Sequence, residues 1–263
     1  MKSKNSEMKL IKECIAELFG TLVLCGFGNA SIAVKSLAPE ASSPLSIHFS
    51  WGIGACFGVY LSKSVSGGHI NPAVTIAKAL TGQFPLVKVL PYIISQCLGA
   101  FISSVLVYLV YMDMEKTDDT ATIFATYPRD QVTTVQALLS SIIGTYLMVN
   151  SINAVTTNSF KPLSNLEPLF LGLAVFVYGI TFSVNTGYAI NPARDIGPRV
   201  FIYLAGWSNV FTRGNDVFDC YWWVPLVGPI IGAALATLSF QTFFTGPVRR
   251  TENDETLEKL NEL

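Results

Sequence analysis

Two copies of one tripeptide stand 120 residues apart: Asn71-Pro72-Ala73 and Asn191-Pro192-Ala193. Each reads as a helix start, because Asn is a strong N-cap and Pro belongs at the first helical position. The second copy runs directly into Arg194 and Asp195, with Arg199 one turn further on. A charge at bilayer depth costs at least ~2.5 kcal/mol and is normally turned toward a partner or a watery cavity. The chain offers no nucleophile–base set, no phosphate loop and no metal-ligand spacing, so neither an enzyme nor a cofactor is expected. What these residues can do is recognise: amide and guanidinium donors beside helix N-termini, each carrying about +0.5 elementary charge.

Such donors matter only in the right medium, and composition supplies it. Of 263 residues 51% are hydrophobic and 13% charged, against about 25% charged in soluble domains. The net charge of −1 gives no basic field for nucleic acid. Five cysteines, an odd number mostly in apolar runs, suggest neither a disulfide framework nor a metal site. The polar, lysine-rich start precedes an apolar run too long for a cleavable signal, so an uncleaved N-terminus is expected.

Six segments approach the ~20 residues a bilayer needs: Cys14–Val34, Leu45–Ser64, Leu86–Tyr111, Val132–Ala154, Glu167–Val184 and Tyr221–Phe244. Each Asn-Pro-Ala stretch falls between spans and is too short to cross. The twelve residues or so from Asn191 reach ~18 Å, about half of a ~30 Å core. Two re-entrant half-helices are the natural assignment. Gly67-Gly68-His69-Ile70-Asn71-Pro72-Ala73 parallels Gly187-Tyr188-Ala189-Ile190-Asn191-Pro192-Ala193, and Gly20-Thr21 parallels Gly144-Thr145. Each half then holds three spans and a half-helix, and the odd number inverts the second half. The expected fold is an all-α membrane protein, with six transmembrane helices plus two re-entrant half-helices in an inverted 3+3 repeat. Such repeats place their site at the midplane, at broken helices. A segment 1–13, a channel unit 14–246 with halves of about 14–118 and 132–246, and a tail 247–263 follow from this. Lysines and arginines fall mostly on the side of both termini, which puts N- and C-termini in the cytoplasm.

If the half-helices meet N-terminus to N-terminus, Asn71 and Asn191 present NH2 groups to one lumen, and two dipoles repel cations and protons there. The stretches before each turn cannot be helical. Gly67, Gly68, His69 and Ile70, and likewise Asn185, Thr186 and Gly187, would offer carbonyls along one wall, which is tolerated at this depth only beside a cavity or within packed protein. An amphipathic lumen of this kind suits a small polyol.

These residues resemble the aquaporins, the major intrinsic protein family, from Ala16-Glu17 to Pro229. Asp195 after Arg194, the run Ile123 to Pro128, and Leu204-Ala205-Gly206-Trp207 resemble the aquaglyceroporin branch, animal members most of all. The resemblance implies a homotetramer in the lipid bilayer of the plasma membrane, with passive flux of glycerol and water, and of urea or other small uncharged solutes. It maps a selectivity filter onto Trp51, Gly179, Tyr188 and Arg194. Glycine at 179 leaves room where water-only members carry histidine, and Trp51 with Tyr188 forms a corner for a carbon backbone. Two departures stand out: Tyr188 replaces the phenylalanine of bacterial glycerol facilitators, and Ser141 occupies the place of a second buried acid.

The remaining polar residues have plainer expectations. Glu17, deep in the first span, is a structural acceptor for loop N–H groups. Asp195 is a helix-start charge orienting Arg194 or nearby loops, Arg199 is structural or interfacial, His69 is a wall residue, and Asp113 to Asp119 form a solvated external loop. A secondary transporter would need paired intramembrane carboxylates, and Glu17 stands alone.

Overall fold

Nine α-helices carry the described chain, here a computed structural model that describes residues 2–157, 165–187 and 189–246. They are α1 (Lys2–Leu37), α2 (Pro44–Ser66), α3 (Pro72–Leu80), α4 (Val89–Val110), α5 (Asp118–Phe124), α6 (Thr134–Thr157), α7 (Glu167–Phe182), α8 (Pro192–Ala205) and α9 (Val224–Phe240). Among the described residues four stretches are long and apolar enough to cross a membrane: Pro44–Ser66, Leu86–Val110, Thr134–Thr157 and Tyr221–Thr245. Helix α7 is apolar but shorter. Helix α1 buries Glu13 and Glu17 within its run. Large apolar side chains such as Phe27, Phe57, Leu98, Leu106, Ile143 and Leu235 stand exposed on the outer faces. A lipid-facing surface requires that pattern, whereas a water-soluble one avoids it.

The order of elements gives two equivalent halves, α1-α2-α3-α4 and α6-α7-α8-α9, and the packing repeats. Helix α4 crosses α1 so closely that a Cβ on Gly99 would lie 2.1 Å from the Leu18 carbonyl oxygen. Helix α9 crosses α6 in the same way, with Gly232 at 2.4 Å from the oxygen of Ile142. Small residues let helix backbones approach where lipid offers no hydrophobic drive to pack them.

Local signals explain where the half-helices start and stop. Asn71 and Asn191 are extended N-cap residues followed by Pro at the first position, and each side-chain oxygen accepts the N–H of the following Ala. Helix α8 ends on Gly206 in the left-handed region, the usual C-terminal stop. Helix α1 begins at Lys2, upstream of the expected Cys14. Hydropathy marks where a chain enters lipid, not where its helix begins.

One expectation fails here. The acidic patch is not merely a solvated loop. Thr117 caps α5 in a reciprocal arrangement with Thr120, and Arg213 donates to the carbonyl of Asp118 at 2.7 Å. Ile123 and Phe124 of α5 are fully buried against Phe201 and Trp207.

Candidate functional site

The two half-helix starts are locked to each other. Asn71 Oδ1 accepts from Ala73 N–H at 2.9 Å, while its Nδ2 donates to the Ile190 carbonyl at 3.1 Å. Asn191 mirrors this: Oδ1 accepts from Ala193 and Arg194, and Nδ2 donates to the Ile70 carbonyl at 2.9 Å. An amide NH2 has two hydrogens, so each Asn spends one on the opposite half and keeps one. Both asparagines line an axial cavity of about 90 Å³.

Reaching this junction strains the backbone. Gly67 and Gly68 have φ of 92° and 66°, and Ile70, a β-branched residue, has φ of 44°. A left-handed non-glycine costs ~1–3 kcal/mol and persists only where its surroundings over-determine it. Glu17 does so. Fully buried on α1, its carboxylate accepts from His69 N–H at 2.9 Å, Ile70 N–H at 2.7 Å, Ser66 Oγ at 2.6 Å and Gln96 Nε2 at 2.7 Å. The Ile70 carbonyl is meanwhile held by Asn191. Among the described residues nothing donates to the carbonyls of Gly67, Gly68 or His69, and these residues line the cavity. His69 packs edge-on against Phe84 and bonds Thr75 at 3.1 Å, as a wall residue would.

Along α2 the residues Trp51, Ala55 and Val59 face the cavity once per turn, so its axis follows that helix. Near one end the Arg194 guanidinium lies 4.4 Å from the Trp51 ring centroid, a cation–π arrangement, and Nη1 donates to the Phe124 carbonyl at 2.7 Å. Among the described residues Nε of Arg194 has no hydrogen-bond partner. Near the other end stand Lys78 and Glu167. Leu24, Val74, Met148, Ile152, Leu171 and Val175 make the apolar wall.

Of the two roles expected of Asp195, orienting Arg194 or nearby loops, the structure shows the second. The Asp195 carboxylate accepts from Thr126 N–H at 2.8 Å and from the Thr126 hydroxyl at 2.5 Å, and pairs with Arg199 Nε at 2.6 Å. Arg199, fully buried, also donates to the carbonyls of Thr126 and Val210. In the second half the Asn185 carbonyl accepts from Arg129 N–H at 3.0 Å, so that one of the acceptors expected there is spent. Gly179 is buried on α7, whereas Tyr188, Lys161 and the tail 247–263 lie outside the described residues. Ser141 is fully buried, and among the described residues its Oγ has no hydrogen-bond partner. Sequence reasoning missed Gln96 and the Phe124 carbonyl. Gln96, an amide inside an apolar span, was a readable signal; a backbone acceptor leaves none.

Two inverted halves whose half-helices abut N-terminus to N-terminus beside an axial lumen define a membrane channel, not an enzyme. The chain belongs to the major intrinsic protein family, whose sequence pattern matches residues 4–240. It is 40% identical over 245 residues to the glycerol uptake facilitator protein of Escherichia coli K12, covering 87% of this chain and 86% of that one. Human aquaporin-10 is 33% identical over 246 residues, covering 88% and 80%. The X-ray structure of the aquaglyceroporin from Plasmodium falciparum superposes with a TM-score of 0.82 at 28% identity, covering 90% of this chain and 97% of that one.

Proposed function

We propose that the protein is a passive channel for glycerol and water, which also admits urea and similar small uncharged solutes and excludes ions and protons. The observation that carries this is the lumen itself: a row of unclaimed carbonyls on one wall, apolar side chains opposite, and two Asn amides between. A polyol needs that combination, with acceptors for one edge and a dry surface for its carbons. Trp51, Gly179, Tyr188 and Arg194 are the filter in this reading. Arg194 keeps a donor free for solute hydroxyls while Phe124 fixes its plane. The names of the relatives agree with glycerol as a permeant. The channel unit spans about 14–246, assembles as a homotetramer, and sits in the plasma membrane with both termini cytoplasmic.

Stopped-flow light scattering on proteoliposomes tests the reading. Osmotic shrinkage and the following glycerol reswelling should both be faster than in empty vesicles. Reswelling no faster than the lipid background removes glycerol from the proposal, and flux that saturates and follows an ion gradient replaces the channel with a transporter.

A further inference from the structure

Three charged side chains gather at the end of the lumen away from Arg194. Lys63 and Glu167 form an ion pair at 2.5 Å that ties the last turn of α2 to the first turn of α7. Lys78 is the third. It lies seven residues past Asn71 on α3, ~10 Å along the half-helix from the junction, and lines the same cavity as Asn71 and Glu167. Among the described residues no carboxylate pairs with its ammonium; Glu167 is taken by Lys63, and Glu13 is taken by Lys88 at 2.7 Å. A lysine in the last turn of a helix complements the negative end of the dipole, but any face of α3 would serve that purpose. This one is on the lumen, where an ionisable group is a functional candidate by default. With Lys63 and Glu167 cancelling, these three side chains leave one net positive charge at the inner mouth.

We propose that Lys78 is a second specificity-determining charge of the lumen, rejecting cations at the inner mouth as Arg194 does nearer the outer one. The proposal rests on the cavity being the conducting path. A unit charge a few ångströms from that path, in partly watered surroundings, slows a cation by about tenfold. The two charges act in series, so the larger barrier hides the smaller. Arg194 is buried and Lys78 only half-buried, so Arg194 is the larger. Removing Lys78 alone is therefore nearly silent, and its contribution appears once Arg194 is gone.

The experiment measures potassium and proton leak into proteoliposomes holding the full-length protein, with glycerol reswelling recorded on the same vesicles. K78M should leak within about twofold of the unaltered chain. R194A should leak measurably, R194A/K78M about tenfold more, and R194A/K78R no more than R194A. Equal leak through R194A and R194A/K78M overturns the proposal, as does a K78R double variant that leaks like the K78M one. Should the Arg194 variants not assemble, K78E in the otherwise unchanged chain gives a second arm. Arg194 is no barrier to an anion, so reversing the charge at 78 must lower chloride leak and thereby raise the ratio of potassium to chloride leak, and an unchanged ratio overturns the proposal. Glycerol reswelling at the lipid background in the unaltered chain instead defeats the channel reading, whatever the leak.

Discussion

The two re-entrant turns meet the same geometric demand with different chemistry. Behind the first, the restraining carboxylate comes from another helix: Glu17 of α1 reaches the N–H groups of His69 and Ile70 just ahead of the half-helix. In the second half the carboxylate is inside the half-helix. Asp195 and Arg199, one turn apart on α8, grip the Thr126 segment after α5 and the Val210 carbonyl beyond α8. The first arrangement fixes the turn, and the second fixes the body of the helix. What the repeat keeps equal is the junction, where each Asn donates to the carbonyl just ahead of the other. The difference teaches that symmetry is enforced only where the two halves touch, and that each half reaches that point with whatever buried partners its neighbours supply.

The sharpest way to break this comparison is Arg199→Met. It leaves the Asp195 charge buried without its cation and two carbonyls without a donor. Truncating one partner of a buried pair costs ~3–5 kcal/mol, so the melting temperature of purified protein should fall by roughly 10 °C for a chain of this size. Removing both charges in D195N/R199M should recover at least half of the loss. If the double variant melts no higher than R199M, the pair is not what holds α8. Next in size is Glu17→Gln. The amide keeps one acceptor and turns an NH2 toward groups that themselves donate, at a cost of ~2–3 kcal/mol and roughly 6 °C. A larger loss than R199M would reverse the ranking of the two supports.

Much of this was legible in the sequence because it is local. An Asn before a Pro starts a helix wherever it occurs, so both half-helices could be placed from Asn71 and Asn191, and their matched spacing gave the repeat. Span positions followed from apolar runs. What stayed hidden depends on partners distant in the chain. The Thr117–Thr120 cap of α5 lacks the acidic or amide residue that usually marks such a box, and the helix is too short to stand without Phe201 and Trp207. The i,i+4 spacing of Asp195 and Arg199 is readable as a pair, but no local signal shows that, of Arg194 and the nearby loops, it is the Thr126 loop that Asp195 holds. Nothing local shows that Asn185 spends its carbonyl on Arg129.

Ser141→Glu is the finest probe of the comparison, because it asks whether the second half has lost a support or replaced it. Ser141 follows Glu17 by 124 residues, the spacing of Gly20 and Gly144, and Thr186 follows Ser66 by 120, the spacing of the two asparagines. By repeat symmetry Ser141 and Thr186 therefore stand where Glu17 and Ser66 bond in the first half. Ser141, Thr145, Thr186 and Tyr221 are all fully buried; among the described residues the hydroxyls of Ser141 and Thr145 have no hydrogen-bond partner, and Tyr221 has only Thr186 and Thr126 to turn to. Each such orphan costs ~1–3 kcal/mol unless something supplies the missing bond. A carboxylate at 141 offers two oxygens to these donors, and that gain must exceed the cost of burying its charge. If it does, the variant should melt a few degrees higher than the unaltered chain with glycerol reswelling retained. The bond to be gained is local, so this effect is the smallest of the three. A fall of more than about 5 °C would mean that the α6–α9 contact, where an added Cβ on Gly228 would come within 2.5 Å of Ser141 Cβ, has closed over the space a carboxylate needs. Asp195 and Arg199 would then be a replacement for the lost acid rather than an addition beside a gap.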